Sequence, residues 1–209
     1  MNFGPVFAKV LLVIGIYGAT AGLLRLFYGI DEELRNYGWR SVRRNCFFYS
    51  TLVCIPLLLK VEVMHPALWF SIWLLGVYLA VALTTDALIY QVYDILQYMG
   101  VVGGGIWLWY QKPTGSQGMS LLLFAAIQYL LFMRMYGKAD GMGYCVCALY
   151  LTGKGCGLDG YLYQMMIGFL ILTVVQLIRG NISGKGQLRR PVALFPYITV
   201  GFMLLWCGT

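Results

Sequence analysis

Residues 66–86 read PALWFSIWLLGVYLAVALTTD, an uncharged run that ends in a single aspartate. A helix needs about 20 apolar residues to cross the hydrocarbon core of a bilayer, so this run is long enough to span a membrane. A charged side chain in such a segment is costly to bury and marks a candidate functional residue. Asp86 is therefore the first residue to which the sequence assigns a chemical role.

A second aspartate has a comparable position later in the chain. Asp140 begins another apolar run and lies within the segment YGKADGMG, residues 136–143. Glycines beside such an aspartate let the backbone pack closely and adopt conformations that other residues avoid. Two carboxylates that meet can share one proton and activate a water molecule, which favours an aspartyl protease within the membrane.

The composition predicts a membrane location for the whole chain. Of the 209 residues, 60% are hydrophobic and only 11% are charged, which argues against a soluble globular domain. The apolar runs predict about eight transmembrane helices, at 5–29, 45–60, 66–86, 94–110, 118–136, 140–153, 160–179 and 191–208. The second and sixth runs are short, and a re-entrant or bundle-buried segment is the alternative for them. The predicted fold class is an all-α polytopic membrane protein.

The basic residues predict the orientation of these helices. Those that fall on one side of an eight-helix arrangement are Arg35, Arg40, Arg43, Arg44, Arg134, Lys138, Arg179, Lys185, Arg189 and Arg190. Because positively charged loops remain in the cytoplasm, we expect both termini outside and both aspartates at the cytoplasmic face. The net charge of +7 then reflects membrane insertion, with the lipid bilayer as partner and no nucleic acid.

Four segments of the chain follow one another in a recognisable order. They are Thr85-Asp86, QVYD at 91–94, GKAD at 137–140 and ALFPY at 193–197. Together they resemble the type IV prepilin peptidase family, the Gly-x-Gly-Asp aspartyl proteases of bacteria. That family has an aspartate at a helix end, an Ile-Pro-Asn-like connection, a Gly-x-Gly-Asp helix start and a Pro-Phe-x-Pro-like segment at the last helix.

The resemblance implies a fold and a site. It implies a six-helix core over residues 66–209, preceded by a two-helix membrane extension over residues 1–65. The implied catalytic residues are Asp86 and Asp140, and the implied motif or substrate-binding residues are Asp94, Gly137, Ala139 and Gly141. The implied substrate is a pilin-like precursor whose short basic leader is removed at the cytoplasmic face of a bacterial cell membrane.

The chain also departs from the family pattern. Ala139 replaces the second glycine of the motif, and residues 92–94 lack the usual proline. The chain has no Cys-x-x-Cys pair, so we expect a peptidase without the zinc and methyltransferase segment of the long family members, and without any cofactor. His65 lies with Glu62 towards the opposite membrane face, which argues against a zinc protease.

Two alternatives remain open at this stage. Tyr93-Asp94 is similar to the Tyr-Asp motif of presenilin and signal peptide peptidase, so Asp94 is a rival to Asp86 as the first catalytic aspartate. A catalytically inactive membrane scaffold or a small transporter would also place acidic residues in membrane segments. A transporter is expected to bury them near the midplane and to show internal repeats, and neither feature is evident in this sequence.

Overall fold

The computed structural model describes residues 4–60, 65–183 and 192–209, and every regular element in these ranges is helical. The elements are α1 (Gly4–Ile30), α2 (Glu32–Asn36), α3 (Trp39–Lys60), α4 (Pro66–Ile89), α5 (Asp94–Gln111), α6 (Gly115–Ile127), a π-helical turn (Gln128–Phe132), α7 (Met133–Tyr136), α8 (Lys138–Gly153), α9 (Leu158–Ser183) and α10 (Phe195–Gly208). The all-α prediction is confirmed for the part of the chain that is described.

Five described segments are long and apolar enough to cross a membrane. They are Val6–Ile30, Trp39–Lys60, Pro66–Ile89, Gly115–Tyr136 and Leu158–Ile178. Each of the eight predicted runs coincides with a helix, but α5, α8 and α10 do not meet this standard of length and apolarity. The multi-pass membrane class therefore agrees with the structure, whereas the number of eight spans is not confirmed.

The second predicted run was placed too late and made too short. Helix α3 begins at Trp39 and has 22 residues, so it has the length of a span rather than that of a re-entrant segment. Its first turns carry Arg40, Arg43 and Arg44, all exposed. Long cationic side chains extend from a helix to the membrane interface, and their charge therefore does not end the helix. Other residues used above, namely Glu62, Lys185, Arg189, Arg190 and Pro191, lie outside the described residues.

Helix α4 lies at the centre of the bundle. It contacts α1, α3, α5 and α10, and residues 74–86 are all buried. A helix that is apolar on every side is expected to be surrounded by other helices in this way. Because α1 and α3 pack directly on α4, the buried carboxylate near its end lies inside one bundle with them. The division of the chain at residue 65 stays a prediction.

Candidate active site

Asp86 is buried one turn before the end of α4, with only 5% of its surface exposed. Its Oδ2 accepts a hydrogen bond of 2.9 Å from the backbone N–H of Phe195. Phe195 is the first residue of α10, where N–H groups have no partner within the helix, and Leu194 before it supplies no side-chain cap. The carboxylate therefore takes the place of an N-cap and joins the end of α4 to the start of α10.

Asp140 lies in the first turn of α8 and is partly exposed. It is close enough to Asp86 for the two negative charges to repel each other. The hydroxyl groups of Tyr78, Tyr136 and Tyr144 also lie within electrostatic range of its carboxylate. The two aspartates that the sequence singled out thus lie at the same end of the bundle, within electrostatic range of each other, with Asp86 near the end of α4 and Asp140 at the start of α8.

Gly137 has a backbone conformation that only glycine adopts readily. Its φ of 113° and ψ of 153° fall in a region that side chains exclude. This turn ends α7 and directs the chain into α8, which begins at Lys138. Ala139 is already helical and has no positive φ. The glycine that this motif needs for its conformation is therefore Gly137, and an alanine two residues later fits without strain.

Gly141 serves close packing rather than a special conformation. A Cβ atom at this position would overlap the side chain of Met133 in α7. The preceding π-helical turn contains Gln128, which is buried and accepts a hydrogen bond from the hydroxyl of Tyr136. Single π-helical turns inside α-helices occur frequently at functional sites. Here the turn lies directly before α7, whose first residue, Met133, packs against Gly141 at the start of α8, beside Asp140.

Ala139→Gly should lower stability without increasing activity. Because Ala139 is in the first turn of α8, glycine would raise the conformational entropy of the unfolded chain and cost up to about 1 kcal/mol. Thermal unfolding and precursor cleavage of the variant and the wild type, measured side by side, test this expectation. Higher cleavage by the glycine variant would contradict it.

A hydrogen-bonded chain of side chains holds the start of α8 in place. Tyr78 of α4 donates to Oε1 of Gln97 at 2.9 Å, and Nε2 of Gln97 donates to the carbonyl oxygen of Ala139 at 3.1 Å. The ring of Tyr78 meets that of Phe195 edge to face, with centroids 5.7 Å apart. The sequence analysis did not select Gln97 as a site residue. Its position, an amide within an apolar run and one turn after Asp94, could have indicated a buried polar contact.

Asp94 does not share the environment of Asp86. It begins α5 and is exposed, and no hydrogen bond to its carboxylate is found among the described residues. Asp86 is buried and interacts with Asp140. The arrangement therefore favours Asp86 over Asp94 as the partner of Asp140.

The connection between α4 and α5 is tied to the acidic residues that follow α1. Tyr90 ends α4 in a left-handed conformation with a φ of 56°, and its N–H donates to the carbonyl of Asp86 at 3.0 Å. The hydroxyl of Tyr93 donates to Asp31, and Nε2 of Gln91 donates to Glu33 at 3.2 Å. The bond from Tyr93 lowers the pKa of Asp31, while burial and the carboxylate of Asp31 raise the pKa of Tyr93.

A cavity of about 250 Å³ lies next to Asp86. Its walls are Tyr49 of α3, Ala87 and Tyr90 at the end of α4, and residues 192, 193, 196 and 197 at the entry to α10. Tyr49 is within electrostatic range of the Asp86 carboxylate. The cavity therefore offers space near Asp86 whose walls are more polar than apolar and include three tyrosines.

The histidine lies at the other end of the bundle. His65 precedes α4, accepts a hydrogen bond of 3.3 Å from the N–H of Ala67 and stacks on Tyr110. The described residues contain no group of three or more His, Cys, Asp or Glu side chains arranged to hold a metal ion. His65 thus has a helix-capping role remote from the two aspartates.

Comparison with known proteins finds no relative of this chain. No family model, no curated protein and no solved structure matches the chain. The interpretation of the site therefore rests on its own residues and their geometry.

Proposed function

We propose that this protein is a membrane-embedded aspartyl endopeptidase with Asp86 and Asp140 as its catalytic pair. The observation that carries the proposal is that a buried and a partly exposed carboxylate lie at the same end of a helical bundle, within electrostatic range of each other. In the proposed mechanism the pair shares one proton, because two neighbouring carboxylates do not both ionise easily.

The chemistry of such a pair is direct attack by water on a peptide bond. The charged carboxylate takes a proton from a water molecule while the water oxygen bonds to the scissile carbonyl carbon. The protonated carboxylate donates its proton to the carbonyl oxygen. When the C–N bond breaks, the carboxylate that accepted the water proton gives it to the leaving amine, and a hydroxyl of the tetrahedral intermediate returns a proton to the other carboxylate. The partial exposure of Asp140 gives water a route to the pair.

The charges around the site favour a substrate with a basic leader. Asp31, Glu32 and Glu33 follow α1 at the same end of the bundle, and two of them contact the connection after α4. A pilin-like precursor combines a short basic leader with an apolar helix. Its leader would lie near these carboxylates while its helix remains in the bilayer.

The distribution of cations supports a site on the cytoplasmic side of the membrane, which we take to be a bacterial cell membrane because of the resemblance to the prepilin peptidases. The cations of described side chains at the end that contains the site are Arg25, Arg35, Arg40, Arg43, Arg44, Arg134 and Lys138. Those at the opposite end are Lys9, Lys60, Lys112 and Lys154. Under the positive-inside rule the site faces the cytoplasm, and both ends of the described chain face outside.

The test is cleavage of a precursor by the purified protein. A synthetic pilin-like precursor, with a basic leader joined to an apolar helix, is incubated with the protein in lipid nanodiscs, and the products are identified by mass spectrometry. We expect one cut, between the leader and the apolar helix. No cut by the wild type, or a cut that persists when both aspartates are replaced, would contradict the proposal and favour a scaffold or a transporter.

A further inference from the structure

A large groove lies between α1 and α3, separate from the candidate active site. Its volume is about 960 Å³, and neither aspartate of the site lines it. One wall is a face of α1 formed by Val13, Ile14, Tyr17, Gly18 and Ala21. These residues recur at helical spacing, and the wall is apolar apart from the Tyr17 hydroxyl, which bonds to Thr51. The interior of the groove thus suits an apolar chain.

The other wall carries positive charge at one end only. Arg40, Arg43 and Arg44 line the groove near the start of α3, and Phe47 follows one turn deeper. Within the described ranges the one salt bridge joins Arg35 to Glu32, so these three guanidinium groups have no carboxylate partner there. The groove is consequently amphipathic, with a cationic rim at the end of the bundle that holds the aspartates.

We propose that this groove binds an anionic phospholipid, with the phosphate at the arginine rim and an acyl chain along α1. Arginine binds phosphate oxygens through paired hydrogen bonds, and basic pockets between helices on the cytoplasmic side recognise anionic headgroups. From Ala21 to Val13 the α1 wall extends about 12 Å along the helix axis. Tyr17 and Phe47 both line the groove, and their ring centroids are 5.5 Å apart.

The position of the groove favours a lipid over a protein segment. Much of α1 is uncovered by the rest of the chain, with Val10, Leu11 and Ile14 among its exposed side chains, so this face meets the bilayer directly. The cationic rim repels a basic leader, so the proposed precursor is a poor occupant. The inference stands independently of the proteolytic function.

Lipid retention measures this binding directly. The protein is placed in nanodiscs that contain equal amounts of phosphatidylglycerol and phosphatidylcholine, extracted in mild detergent, and examined by native mass spectrometry. The wild type should retain phosphatidylglycerol in preference to phosphatidylcholine. Arg43→Gln with Arg44→Gln should reduce retained phosphatidylglycerol about tenfold or more. The control, Lys112→Gln with Arg134→Gln, removes the same charge away from the groove and should retain the lipid.

A second pair of variants tests the acyl chain without changing charge. A Cβ atom at Gly18 or at Gly105 meets no atom within 4 Å, so leucine is accommodated at both positions. Gly18→Leu fills the groove and should lower phosphatidylglycerol retention severalfold, while Gly105→Leu, on α5, should leave it unchanged.

Several results would overturn the proposal. Equal losses in the two charge variants would indicate general charge attraction, and unchanged retention in Gly18→Leu would show that no acyl chain occupies the groove. Equal retention of the two lipids by the wild type would also contradict the proposal. Displacement of the bound phosphatidylglycerol by soluble glycerol phosphate would contradict it too, because it would indicate a site for the phosphate alone. A co-purified protein segment cross-linked to the groove in place of lipid would contradict it as well.

Discussion

Cleavage of a pilin-like precursor is expected to fall about 10⁴-fold or more when either Asp86 or Asp140 is replaced by asparagine. An amide neither takes a proton from water nor supplies one to the carbonyl oxygen, and the loss of one member of a catalytic unit costs nearly as much as the loss of both. The double variant should therefore be no less active than the single variants. Initial rates of leader release in nanodiscs give the measurement.

The asparagine variants should still fold, which separates this result from simple destabilisation. The amide oxygen that replaces Oδ2 of Asp86 can accept the same hydrogen bond from the N–H of Phe195. Thermal unfolding should therefore remain close to that of the wild type. Asp159→Asn is the matched control, since Asp159 is exposed in the first turn of α9, at the opposite end of the bundle.

The same series distinguishes the two candidates for the first aspartate. Asp94→Asn should retain most activity because Asp94 is exposed at the start of α5 and is not one of the two proposed catalytic carboxylates. Loss of cleavage in Asp94→Asn together with normal cleavage in Asp86→Asn would show that Asp86 was assigned wrongly. Normal cleavage in both Asp86→Asn and Asp140→Asn would contradict the proposed aspartyl mechanism.

Gly201→Val should destabilise the protein more than any substitution on its lipid-facing surface. A Cβ atom at Gly201 would lie 2.6 Å from the backbone carbonyl oxygen of Gln164, and one at Gly168 would lie 3.1 Å from that of Tyr197. Helices α9 and α10 thus approach each other at two glycines, an arrangement common in membrane proteins. A backbone carbonyl cannot rotate aside as a side chain can, so the helices must separate.

The expected cost is about 1–3 kcal/mol for Gly201→Ala and more for valine. Because α10 carries the N–H that binds Asp86, cleavage should fall with stability. The control is Gly105→Ala, where the new methyl group meets no neighbour and alanine favours the helix by about 1 kcal/mol. Thermal unfolding in detergent compares the three variants, and an unchanged midpoint for Gly201→Val would contradict the close approach of α9 and α10.

Several features of this protein were accessible from the sequence because they depend on residues close together in the chain. The cost of placing polar groups in a bilayer makes each apolar run a helix, and each of the eight predicted runs coincides with a helix, although residues 192–194 of the last run are not helical. The predicted start of the second run was wrong, since α3 begins at Trp39 and includes three arginines before residue 45. Likewise, the glycines beside Asp140 indicated an unusual backbone, which the structure assigns to Gly137.

The contacts between residues far apart in the chain were not indicated by any comparable feature of the sequence. The bond from Phe195 to Asp86 joins residues 109 positions apart, and Gln97 reaches Ala139 across 42. Helix α4 is apolar on every side, so its sequence does not show which face meets which neighbour.

The sequence by itself therefore determined the all-helical membrane class and the two aspartates as candidates. Only the tertiary structure decided that Asp86 lies within electrostatic range of Asp140, that Asp94 is exposed, and that α1 and α3 form a groove with a cationic rim. The physical reason is that helix formation follows from local hydrogen bonding and hydrophobicity. The rotation and pairing of helices, in contrast, follow from side-chain packing between segments that are far apart in the chain.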